Sequence, residues 1–215
     1  MFDNRLLTHE LAAIACPKRG KLEYELPTAL HALQWSVTFR LLGVYRWELD
    51  GGVRCVHQIA SSFARRCLRE LAGNWWANTL ARNPGMGNGM GFPIANLAPW
   101  SSMHSLRIKD FTAQECASRV AKDVESYVLP FVASVQSEQR YLELLLADEK
   151  PMQWLFCQPL TRFAEVVWLS AKLGKNEVAA MAALKRERKF AQGQLQGVEL
   201  DEYAERVVQA ARADA

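Results

Sequence analysis

Two runs decide the fold class. The first is Leu33-Gln34-Trp35-Ser36-Val37-Thr38-Phe39-Arg40; the second is Val44-Tyr45-Arg46-Trp47-Glu48-Leu49-Asp50-Gly51-Gly52-Val53-Arg54-Cys55-Val56-His57. In the first, Trp35, Val37 and Phe39 alternate with Ser36, Thr38 and Arg40. A two-residue period rich in aromatic and β-branched side chains is the pattern of a half-buried strand. In the second, Asp50-Gly51-Gly52 separates two short apolar-polar runs. Glycine accepts the positive φ of a tight turn, so this spacing predicts a hairpin at residues 50–52. A small antiparallel sheet over residues 35–57 is therefore expected. The competing expectation is that residues 28–42 form one buried helix, because period alone does not separate short apolar runs; the protein would then be all-α.

Outward from this stretch the pattern turns helical. Toward the N-terminus, residues 3–16 place Leu6, Leu7, Leu11 and Ile14 at helical spacing behind Asp3, and Pro17 ends the segment. Toward the C-terminus, Ser61 or Ser62 is positioned to cap a helix over residues 63–80, with Phe63, Cys67, Leu71 and Trp75 on one stripe. Thr112 and Glu115 form a Thr-x-x-Glu capping box, followed by Cys116, Val120, Val124 and Val128 stepping by four up to a kink or end at Pro130. Further helices are expected over residues 137–147, 161–173, 177–192 and 200–213, with Gly174 as a stop and Asn176 as a cap. The expected fold is α+β and predominantly helical: one domain over residues 1–215, with an N-terminal α+β half and a helical C-terminal half.

Between the halves lies Asn-Pro-Gly-Met-Gly-Asn-Gly-Met-Gly-Phe-Pro, opening a proline- and glycine-rich segment at residues 83–102. It reads as a long loop without regular structure. Its glycines fall at every second position from Gly85 to Gly91, which breaks the dinucleotide-binding spacing, and no Gly-Lys-Ser or Gly-Lys-Thr follows.

Several chemistries are excluded by pattern. There is no Gly-x-Ser-x-Gly, no His-Glu-x-x-His and no Cys-x-x-Cys. The five cysteines, at 16, 55, 67, 116 and 157, are widely spaced, so reduced thiols are expected, with no cofactor and no metal. The 26 basic and 23 acidic residues nearly balance, which argues against a nucleic-acid partner. No apolar run is long enough to cross a bilayer, and the N-terminus lacks a secretory pattern, so a cytoplasmic protein is expected. The basic clusters Arg65-Arg66-Arg69 and Lys185-Arg186-Arg188-Lys189 suit acidic partners or phosphates. Both are interspersed with acidic residues and also read as salt-bridged helix surfaces.

Trp168 to Leu184, with its Leu-Gly-Lys-Asn-Glu-Val-Ala texture, resembles the junction of a tetratricopeptide-type helical hairpin. It does not recur at that family's thirty-four-residue period, so the resemblance implies a helix-turn-helix junction and no repeat array.

The seven tryptophans are many for this length, and Trp75 and Trp76 are adjacent. With the methionines of the glycine loop they suggest a contact surface formed by Met86, Met90, Phe92, Trp76 and Trp100. The expectation is a non-catalytic module that binds a protein partner, as adaptor or inhibitor, or a second copy of itself. The alternative is an enzyme or small-ligand binder whose site is assembled from scattered residues, with His57, Cys55 and His104 the first candidates.

Overall fold

The computed structural model describes residues 21–42, 48–82, 89–94, 97, 106–107, 112–147 and 158–214. The helix expected at residues 3–16 and the apolar stretch around Trp154 lie outside them. The fold is α+β and predominantly helical. It falls into two compact units that alternate along the chain. Unit 1 draws on residues up to Ala29, Gln34–Cys55 and Gly91–Gln136; unit 2 on Leu30–Leu33, Val56–Met90 and Ser137–Ala215.

Unit 1 carries the sheet, in the order β1 (Lys21–Leu26), β2 (Leu33–Leu42), β3 (Glu48–His57), β4 (Met90–Pro93), with β5 (Leu106–Arg107) antiparallel to β3. β1 and β2 run antiparallel with Tyr24 opposite Val37 and Leu26 opposite Trp35. The alternation in β2 acts as expected: Trp35, Val37 and Phe39 are buried. Ser36, on the other face, donates to Glu23 of β1 at 2.9 Å.

The hairpin expected at Asp50-Gly51-Gly52 does not exist there. β3 runs unbroken through all three residues, and no described glycine in it has a positive φ. Gly52 instead serves close approach: a Cβ would lie 3.6 Å from the Phe92 carbonyl oxygen, and one on Gly91 would lie 3.4 Å from that of Val53. Glycine in a strand also marks close approach of neighbouring backbone, and the sequence does not distinguish that from a turn. Nor is the glycine-rich segment wholly irregular, because Met90–Pro93 is strand β4.

A helical rod covers this sheet. α3 (Ala113–Asp123) opens on the capping box: Thr112 Oγ1 accepts from the Glu115 amide at 3.2 Å, and Glu115 accepts from the Thr112 amide at 2.8 Å. A wide turn at Val124–Val128 passes into α4 (Leu129–Ser134), where the Leu129 amide reaches back to the Val124 carbonyl. Pro130 follows at once. Lacking an amide hydrogen, it cannot continue the regular ladder, and the widened turn takes up the mismatch without ending the rod. Cys116, Val120, Val124 and Val128 are all fully buried. Phe131 meets Trp35 and Phe92 edge-on, at centroid distances of 5.8 and 5.4 Å.

Unit 2 is a helical bundle: α1 (Gln58–Leu71), α2 (Asn74–Arg82), α5 (Glu138–Leu146), α6 (Pro159–Lys172), α7 (Val178–Arg186), α8 (Arg188–Gln192) and α9 (Leu200–Asp214). α1 and α6 form its central pair, and α9 packs on both. The single helix expected over residues 63–80 is two. It breaks at Gly73, whose φ of +98° and approach to Gln196 leave no room for a side chain; a Cβ would sit 2.8 Å from the Gln196 carbonyl oxygen. Gly174 ends α6 with a positive φ, as the junction pattern predicts. Asn176 accepts from the Val178 amide at 3.3 Å, but the cap position of α7 is held by Glu177 rather than Asn176, and the single helix expected over residues 177–192 is two, parted at Glu187.

Candidate functional site

α1 organises two constellations in unit 2, one on each of its faces. Its start is fixed by His57 rather than by Ser61 or Ser62. His57 Nδ1 accepts from the Ala60 amide at 3.2 Å. That bond makes Nδ1 the unprotonated nitrogen, so Nε2–H donates to Glu138 Oε1 at 3.1 Å. Lys172 reaches the same oxygen at 2.7 Å. The His57 ring is fully buried beside Tyr141 and Trp168. Burial holds its pKa below the ordinary histidine value despite Glu138.

One turn on, Ser61 faces inward. Its hydroxyl donates to Glu165 Oε1 at 2.6 Å. The Gly89 amide donates to that oxygen at 3.2 Å, and the Tyr141 hydroxyl to Oε2 at 3.2 Å. Glu165 is fully buried, and burial pushes its pKa up to about 7 against the pull of these three donors. This carboxyl is the feature that motif reading missed. A signal was present: Phe163-Ala164-Glu165-Val166-Val167-Trp168-Leu169 sets one acid inside an apolar helix, where a solvated carboxylate has no place.

The outer face of α1 is different. With α2 and the end of α9 it encloses a cleft of about 500 Å³. Arg65, Arg66 and Arg69 line it together with Phe63, Ala77 and Leu80, of which Phe63 and Leu80 are buried. Ile59 stands at its edge, 54% exposed. Arg66 lies over the Phe63 ring, 5.3 Å from its centroid, and pairs with Asp214 at 2.9 Å. That pairing raises the Arg66 pKa. Arg69 pairs with Glu70 at 3.2 Å. Arg65 Nε–H is buried and has no hydrogen-bond partner among the described residues. Cys67, one residue past Arg66, is buried and its thiol is pushed up to about 12, which makes it a poor nucleophile.

The contact residues expected from the sequence are placed otherwise. Trp76 is buried and donates Nε1–H to the Gln194 carbonyl at 2.8 Å, while its neighbour Trp75 is 44% exposed. α2 has one inward position for the pair, and Trp76 takes it. Met90 and Phe92 are also buried, because β4 is part of the sheet. These three side chains therefore serve as core rather than contact surface. Met86, Trp100 and His104 lie outside the described residues. Cys55 is fully buried, as are Cys67 and Cys116, and Cys67 and Cys116 are free thiols. Among the described residues no cluster of three His, Cys, Asp or Glu side chains is placed to hold a metal ion, and no helix is long and apolar enough to cross a membrane. No known protein family, curated protein or solved structure matches this chain.

Proposed function

We propose that this chain is a non-catalytic binding protein and that the arginine-lined cleft of unit 2 is the surface that receives its protein partner. The observation that carries this reading is the cleft itself: about 500 Å³, with Arg65, Arg66 and Arg69 set around apolar residues and an exposed isoleucine. Arginine beside an exposed aliphatic side chain is a combination that recurs among the energetic anchors of protein interfaces. The groups with perturbed proton affinity point the same way. His57 and Glu165 are fully buried and hydrogen-bonded to their neighbours, so they hold helices together and meet no substrate while folded. The buried free thiols of Cys67 and Cys116 suit a reducing compartment, which supports a cytoplasmic setting.

The test is a photo-reactive side chain placed at Ile59, with Val178 on α7, which is the more exposed of the two, as the control. The partner crosslinked in native lysate is then purified and its affinity measured. The expected result is crosslinking from position 59 alone, and at least about a tenfold loss of affinity for Arg65→Glu with the helical spectrum intact. Crosslinking of nothing, or equal crosslinking from both positions, contradicts the reading. A crosslinked product of doubled chain mass identifies the partner as a second copy.

A further inference from the structure

We infer that the cleft recognises an acidic protein segment, and that Asp214 already occupies the position of the partner's leading carboxylate. The inference rests on the cleft being the binding surface and names what it binds. Three guanidinium groups and one carboxylate line the cleft, so the surface favours negative charge. The one carboxylate shows how such a group is held. Asp214 Oδ1 lies 2.9 Å from Arg66 Nη2, and Oδ2 accepts from Trp168 Nε1–H at 3.2 Å. A guanidinium and an indole N–H thus converge on a single carboxylate, with the guanidinium already oriented over the Phe63 ring.

Asp214 is the last residue of α9, and its side chain is about one-third exposed. A pair this accessible is weak and exchangeable. A partner carboxylate displaces it with no change in the backbone, while the guanidinium groups of Arg65 and of Arg69, the latter by exchange from its exposed pair with Glu70, take further acidic groups. Apolar side chains of the segment settle against Ile59. Asp214 is then an internal competitor that sets the affinity threshold.

The experiment titrates the full chain with a short synthetic peptide of glutamates interrupted by leucines, a glutamine version of it, and inorganic polyphosphate. Saturable binding of the acidic peptide is expected, lost in the glutamine version and weakened by salt. Arg66→Gln should bind at least about tenfold more weakly. Asp214→Asn should bind about two- to fivefold more tightly, the range open to an exposed ion pair. Asp201→Asn removes the same charge from the other end of α9, where Asp201 pairs with Arg188 at 3.0 Å, and should leave affinity unchanged. Equal tightening by both substitutions overturns the role of Asp214. Polyphosphate binding as tight as the peptide's, with the same Asp214→Asn gain, overturns the peptide assignment in favour of phosphate. No peptide binding, alongside specific crosslinking from Ile59, overturns the acidic segment and leaves the cleft as the partner surface. Failure of both removes the cleft reading too.

Discussion

The interiors of the two units are built on different terms. Unit 1 closes on side chains that its elements present at regular intervals: Trp35, Val37 and Phe39 from the sheet, and Cys116, Val120, Val124 and Val128 from the rod above it. Among the described residues its buried polar side chains, Thr38 and Asp123, retain some contact with solvent. Unit 2 encloses His57, Ser61, Thr161 and Glu165 with little or no exposure. Apolar packing tolerates exchange of one hydrocarbon for another, whereas a buried acid requires each donor to be in place. Unit 1 is therefore held by volume and unit 2 partly by a specific polar network.

The sharpest way to break this comparison is to remove volume from unit 1. Phe39→Ala deletes a ring with no solvent contact, beside Tyr24 at a centroid distance of 6.0 Å. It should cost about 3–5 kcal/mol, read from urea unfolding. A loss below about 1 kcal/mol would mean that unit 1 is not close-packed around β2.

The network of unit 2 should show itself through pH. Glu165 has a folded pKa of about 7, raised from an ordinary 4.5, so the folded protein holds its proton more tightly than the unfolded chain. Its contribution to stability is full below about pH 4.5 and is lost as pH rises through 7, a change on the order of 3 kcal/mol. His57 acts in the opposite sense. Its lowered pKa gives stability that is present above the ordinary histidine value and lost on acidification, when protonation of Nδ1 would break the bond to Ala60. Glu165→Gln should remove the first effect and leave the second. Urea unfolding of both proteins across pH 4.5 to 8 should show the wild type losing stability relative to the variant as pH rises. Parallel curves would contradict the assignment.

The smallest of these effects sharpens the description of the rod. Thr112→Ala removes one side of the capping box and should cost about 1 kcal/mol in the same measurement. A neutral result would mean that packing against the sheet, rather than the cap, fixes the start of α3.

How much of this was legible follows from the same contrast. Period reveals apolar faces, so β2 and the stepped valines of the rod could be read directly. Local chemistry revealed the Thr112 box and the stop at Gly174. Glycine misled where its role was tertiary: Gly52 and Gly91 admit neighbouring backbone, and Gly73 makes room for Gln196. The site was the least legible part. Glu165 gathers donors from positions 61, 89 and 141, and the cleft joins α1 to the far end of the chain at Asp214. No spacing rule links residues that far apart. The arginine cluster was visible, but not that one of its members would hold a buried donor that no described residue accepts.

That donor supplies the most direct test of the cleft as binding surface. The arginine Nε–H resonances of the labelled protein can be followed as the acidic leucine-containing peptide is added, with Arg188, which pairs with Asp201 on the surface, as an internal reference. The account predicts that Arg65 and Arg66 shift together and saturate at a common affinity, while Arg188 stays in place. Shifts of all arginine signals in proportion to added charge, or an Arg65 signal that never moves, would contradict it.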